Sequence, residues 1–168
     1  MKIYRIHTKQ NVPITKQQAW EFLSNPANLS EITPDYMNFR IISGADRKTY
    51  AGQIIQYKVN PLPGITTTWV TEITHVQEGE YFVDEQRYGP YAMWHHKHFI
   101  KEIPGGVEME DIVDYKLPLG FIGQLVHPFL VQPKLDQIFA FRESALIKKF
   151  GAYKAPTPEV TLKQDILG

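Results

Sequence analysis

From Lys2 to Gln10 the chain alternates in polarity, with Tyr4, Ile6 and Thr8 on one side and Ile3, Arg5 and His7 on the other. That is the two-residue period of a strand. Asn11-Val12-Pro13 interrupts it, and Thr15 is placed to cap a short helix over Lys16–Leu23 that buries Ala19, Trp20 and Leu23. A second short helix is predicted over about 27–32. Strand patterns follow at 38–43, 52–60, 65–76 and 80–88, rich in β-branched residues and separated by Gly, Pro and charged turns. Two longer strands, reaching to about residue 117, meet at Pro104-Gly105-Gly106. The period then changes. Leu135, Phe139, Arg142, Leu146 and Phe150 fall on one helical stripe, widened by Ile138 and Ala145, and Gly151 ends it.

The predicted order is β-α-α-β6-α, an α+β chain. About seven antiparallel strands must cover the last, long helix, which leaves room for a cavity between them. The boundaries implied are 1–151 for this domain and 152–168 for an extended tail. The piece 120–130 is apolar, and His127-Pro128 should kink it. Phe121, Ile122, Phe129 and Leu130 look exposed, and the piece should form a mobile lid, pack as an ordinary helix, or serve as a hydrophobic docking segment.

The central hairpin decides the chemistry. With Gly105-Gly106 as its two-residue turn, Lys101 faces Glu110 and Lys97 faces Asp114 on a wet face. The opposite face then carries Trp94, His96, His98 and Ile100 against Met109, Asp111, Val113 and Tyr115. A buried carboxylate needs a partner, and His98, one diagonal step from Asp111, is the nearest. Such a pair serves either as a structural polar contact or as a proton-transfer unit. His96, His98 and Asp111 also make up a two-histidine, one-carboxylate set, which His75 could extend. The outward positions of His95 and Lys97 make the remaining cluster a better ligand anchor than a metal site, and no metal or cofactor is assigned. Arg142, on the apolar stripe, should either reach Asp84, Asp111 or a ligand anion or snorkel to the edge and pair with a surface acid. Whether Asp84 and Gln86 face inward depends on the turn at Gly89-Pro90. Trp69, Trp94, Tyr57, Met109, Tyr115 and Phe139 are the candidate apolar walls.

Composition narrows the partners. Lys plus Arg and Asp plus Glu are both 18, so the chain is neutral, which argues against nucleic acid and anionic membranes. There are no cysteines, hence no thiol nucleophile or cysteine-bound zinc. No signal peptide or membrane-length apolar run is present, so the cytoplasm is the expected compartment and stable membrane insertion is not expected. A chain of 168 residues buries roughly 70% of its unfolded surface, enough for a core and a cavity. There is no nucleophile elbow, phosphate loop or dinucleotide fingerprint.

The run Gly89-Pro90…Trp94…His96…His98, then Asp111…Tyr115-Lys116-Leu117-Pro118-Leu119-Gly120, then Leu135…Ile138-Phe139…Arg142, resembles one group of proteins. It is the bacterial ligand-binding branch, related to polyketide cyclases, of the START/Bet v 1-like (SRPBCC) superfamily. The resemblance implies a helix-grip fold and a hydrophobic ligand: a lipid, an isoprenoid or a polyketide-like aromatic. Ligand contacts are expected from Trp69, Trp94, His96, His98, Met109, Asp111, Tyr115, Phe139 and Arg142. The alternatives are a cyclase or dehydratase, with His98 as base, Asp111 holding it and Tyr115 or Arg142 polarising a carbonyl, and a protein-interaction module. Oligomeric state is not legible.

Overall fold

The computed structural model describes residues 2–62, 64–118, 120–154 and 166–167. Strand β1 (Ile3–Val12) leads into helix α1 (Lys16–Leu23) and two 3-10 turns, Pro26–Ile32 and Asp35–Met37. Strands β2 (Arg40–Ser43), β3 (Ile54–Leu62), β4 (Ile65–Gln77), β5 (Tyr81–Tyr88), β6 (Met93–Ile103) and β7 (Gly106–Lys116) follow. Helix α2 (Gly120–Val126) continues through a π-helical turn, His127–Val131, into helix α3 (Gln132–Phe150). The two-residue strand β8 (Ile166–Leu167) pairs with β1. The predicted tail is otherwise outside the described residues over 155–165 and at 168.

The sheet order is β2-β3-β4-β5-β6-β7-β1-β8, with every pairing antiparallel. The meander from β2 to β7 consists of hairpins between sequence neighbours, and β1 closes against β7. Alternation in β1 is strict: Tyr4, Ile6, Thr8, Gln10 and Val12 are all buried. Their outward neighbours Arg5, His7 and Lys9 reach acids of β7, at 2.6 Å to Asp114, 2.5 Å to Glu110 and 3.0 Å to Glu108. Helix α1 starts as predicted, with Thr15 and Gln18 forming a reciprocal capping box. Phe22, rather than Leu23, is its third fully buried apolar residue. Helix α3 buries the predicted stripe of Leu135, Phe139, Arg142 and Leu146, and the Gly151 N–H caps it on the Ile147 carbonyl.

The hairpin register differs from the expected one by two residues. Ile103 pairs with Gly106, so the turn is Pro104-Gly105. Proline supplies the fixed φ of the first turn position, and Gly105 supplies φ +79° at the second. Gly106 belongs to the ladder instead. A Cβ there would lie 2.2 Å from the Val12 carbonyl oxygen, so only glycine lets β7 approach β1 at this point. Lys101 therefore faces Glu108, and His95 faces Asp114. The Lys97–Asp114 ion pair survives as a diagonal contact of 2.9 Å. An even shift leaves each face unchanged. What changes is that Asp111 sits directly opposite His98, not Ile100.

Candidate functional site

The polar cluster is built by three adjacent strands and one helix. On β6, His96 and His98 are two residues apart and point to the same face. Their cross-strand partners on β5 are Asp84 and Phe82, and on β7 Val113 and Asp111. The sheet thus sets carboxylates diagonally on either side of the histidine pair. Helix α3 lays Arg142 over the β7 side. Its Nη2 lies 3.1 Å from Asp111 Oδ2 and 3.2 Å from Oδ1.

Each imidazole spans both acids. His98 Nε2 is 2.8 Å from Asp84 Oδ2, and its Nδ1 is 2.7 Å from Asp111 Oδ1. The second contact is close but off the line a good hydrogen bond requires, so it acts chiefly as an ionic contact. His96 Nε2 is 3.1 Å from Asp111 Oδ1, and its Nδ1 is 3.6 Å from Asp84 Oδ2. Phe82 stacks on His98 at 4.2 Å between centroids and shields it.

Burial would raise the Asp111 carboxyl, but the Arg142 charge and the bonds from His96 and His98 outweigh it and hold the group well below its ordinary range. Burial lowers both imidazoles. In His98 the contacts with Asp111 and Asp84 overcome that and leave its pKa raised. In His96 burial prevails, reinforced by the nearby His98 charge, and its pKa is lowered.

This split has a measurable consequence. The stability that His98 contributes is full below its unfolded pKa of about 6.5 and is lost as pH rises through its higher folded pKa. The His96 contribution is full above about 6.5 and is lost as pH falls through its lower folded pKa. Urea melts across pH should therefore show a stability maximum near about pH 6.5, where neither loss has set in. Substituting His98 by Gln should flatten the alkaline slope. Substituting His96 should make the acid slope shallower without removing it, because burial also lowers the pKa of His127. A monotonic profile across this window would contradict the assignment.

Between the sheet and the helices lies a cavity of about 400 Å³. Trp69, Trp94, His96, His98, Phe139 and Arg142 line it, as do Tyr57 and Asp84. Three expected contact residues do not. Met109 is packed in the core beside Ile100 and Leu146. Asp111 sits behind the histidines. Tyr115 is fully buried, with its hydroxyl 2.6 Å from His127 Nε2, and Tyr4 stacks on that same imidazole. The inner face alternates as read, but α3 and the sheet close over these positions.

Asp84 is the residue whose direction the strand pattern leaves open. The structure turns it inward, while the Gln86 side chain clasps the backbone of Tyr91 with bonds of 2.7 and 3.2 Å. That clasp fixes the β5–β6 connection and brings Tyr91 into the aromatic wall. The residues missed outright come from the 3-10 segment and its surroundings, among them Leu29, Ile32, Met37 and Phe39. Their short, irregular elements carry no periodic signal. His75 is exposed and bonded to Thr74, away from the cluster. The apolar segment after β7 does expose Ile122, Leu125, Phe129 and Leu130, Phe129 at 84%, and Leu130 also borders the cavity. The Phe121 side chain is outside the described residues.

Among the described residues no helix is long and apolar enough to cross a membrane. No family model and no curated protein matches the sequence. Solved structures do match. The Zhui aromatase/cyclase from Streptomyces sp. R1128 superposes with a TM-score of 0.69 at 10% identity, over 88% of this chain and 93% of that one. TTHA0849 from Thermus thermophilus gives 0.61 at 10% identity, over 86% and 98%. Ara h 8.0201 gives 0.54 at 15% identity, over 87% and 99%. At such identities the likeness is one of fold. These neighbours are Bet v 1-like (SRPBCC) proteins, and this chain shares their helix-grip fold.

Proposed function

We propose that the protein binds a hydrophobic small molecule in the space between the sheet and α3, with one polar end of the ligand against His96, Asp84 and Arg142. The observation that carries this reading is the cavity of about 400 Å³, whose wall is mostly apolar and aromatic and carries one buried charged cluster, Asp84, His96, His98 and Arg142. That volume lies in the range of small-molecule sites. Tyr57, Trp69, Tyr91 and Trp94 form a continuous aromatic panel, with Trp69 5.4 Å from Trp94 edge-on and 5.6 Å from Tyr91. Such a panel suits a flat aromatic or isoprenoid body. The Trp69 indole N–H is buried without an acceptor among the described residues, and a ligand oxygen would satisfy it. A polyketide-like aromatic fits these features, and one structural neighbour is an aromatase/cyclase.

Acid–base turnover at His98 has less support. Its Nε2 is bonded to Asp84, its Nδ1 lies against Asp111, and its raised pKa favours the protonated form. Tyr115, the partner suggested for carbonyl polarisation, spends its hydroxyl on His127 away from the cavity wall. Native mass spectrometry of the purified protein, followed by solvent extraction, tests the binding reading. An adduct of one small apolar molecule per chain is expected, released unchanged on denaturation. A chain that is bare, and stays bare after incubation with mixed aromatic polyketides, isoprenoids and fatty acids, would refute it.

A further inference from the structure

The residues that line the polar end of the cavity also have the donor set and the support of a metal centre. We propose that Asp84, His96 and His98 bind one divalent first-row transition-metal ion, with its open coordination positions facing the cavity. This inference goes beyond the ligand-binding reading and does not depend on it.

Three observations carry it. First, one donor atom from each of the three residues lies within 4.8 Å of the others. Asp84 Oδ2 is 2.8 Å from His98 Nε2 and 3.6 Å from His96 Nδ1. Donors on one ion, bonded at ~2.1 Å, stand roughly 3.0–3.5 Å apart, so small side-chain rotations convert the present contacts into a coordination shell. The strands hold the donors in place, because His96 and His98 share one face of β6 and Asp84 is directly across from His96.

Second, each histidine turns one nitrogen toward Asp84 and the other toward Asp111. The Asp111 carboxylate takes His96 Nε2 at 3.1 Å and lies 2.7 Å from His98 Nδ1, off the hydrogen-bond line in the present rotamer, and Arg142 holds it from behind. Metal-bound histidines characteristically give their second nitrogen to a carboxylate, which fixes ring orientation and tautomer. One acid here serves both rings. The sequence pattern pairs Asp111 with the histidines as a ligand; the structure gives that position to Asp84 and makes Asp111 the support.

Third, the burial is one-sided. Asp84, His96 and His98 line the cavity, and Asp111 does not. A bound ion would thus be screened by protein on the sheet side and accessible to a ligand oxygen on the other. Two imidazoles and one carboxylate favour Zn²⁺, Fe²⁺, Co²⁺ or Ni²⁺ over Mg²⁺ or Ca²⁺, which prefer all-oxygen shells.

Co²⁺ titration of the chelator-treated protein tests the proposal. Saturation at one equivalent is expected, with visible d–d absorption bands and strongly shifted ring-proton resonances from His96 and His98. The Asp84→Asn variant should bind at least tenfold more weakly. The Asp111→Asn variant should weaken binding by about 10- to 100-fold while keeping the bands. Substituting the exposed His75 should change nothing. Circular dichroism shows whether each variant is folded, and the resonance shifts of the unaltered protein identify the coordinating histidines without any variant. Absence of saturable binding, or shifted resonances from His7, His75 or His95 instead, would overturn the proposal. An Asp84→Asn protein that binds Co²⁺ as tightly as the unaltered chain would do the same.

Discussion

Asp111→Ala should cost about 3–5 kcal/mol of folding stability, measured by urea unfolding with chelator present. Asp111 is the hinge of the buried network: Arg142, His96 and His98 all reach it. Removing it leaves a guanidinium on the apolar stripe of α3 with its carboxylate partner gone, and leaves the imidazolium of His98 with Asp84 alone. The loss is large because burying an unpaired charge costs far more than the pair returns. Against a total stability of about 5–15 kcal/mol, such a change leaves the variant marginal. The double variant Asp111→Ala with Arg142→Met should recover part of the loss, since the second change removes the stranded cation and keeps an unbranched stem of similar length. A double-mutant cycle reads the coupling directly. If Asp111→Ala unfolds within about 0.5 kcal/mol of the unaltered chain, the network is not buried and paired as described.

This network also shows where sequence reasoning succeeds. His96, His98, Asp111 and Arg142 are legible because strand and helix periods fix their faces. A two-residue error in the hairpin register leaves those faces intact, since strand period is two. The same error hides the partnership. Asp111 reads as diagonal to His98 when Pro104 is placed in the ladder, yet proline has no N–H to give a ladder and belongs in the turn. Asp84 is undecidable from sequence for another reason. Its direction depends on irregularities in the β4–β5 pairing near Ile73 and on the Gln86 clasp of Tyr91, and neither leaves a periodic trace. Met109 and Tyr115 do lie on the inner face, but facing inward does not mean facing the void. Which inward residues meet the cavity is set by how α3 and the π-helical turn settle on the sheet, and that is a matter of packing. His127 is the example: a kink signal in sequence, and in the fold a buried ring stacked on Tyr4 and bonded to the Tyr115 hydroxyl.

Ile138→Trp should abolish ligand uptake with little effect on stability. Ile138 is half-buried on α3, one turn before Arg142, and borders both the Tyr4–Tyr115 cluster and the Met37–Trp69 cluster. Its side chain lines the cavity, so a larger ring there extends into space rather than into packed atoms. Enlarging a residue in a filled core costs about 1–3 kcal/mol through strain. Enlarging one beside a void instead gives its walls dispersion partners they lack. The stability change should therefore stay below about 1 kcal/mol, in either direction. Binding should respond strongly, because the indole would occupy the place where a ligand body meets the aromatic panel. Fluorescence titration with anilinonaphthalene sulfonate, an apolar aromatic with an anionic end, should show at least a tenfold rise in Kd. The exposed outer-face substitution Ile147→Trp adds the same ring to the same helix and should leave the titration unchanged. Equal affinity in the two variants would mean that the probe binds outside the cavity, whereas a collapse of stability in Ile138→Trp would mean that the space beside this residue is already filled.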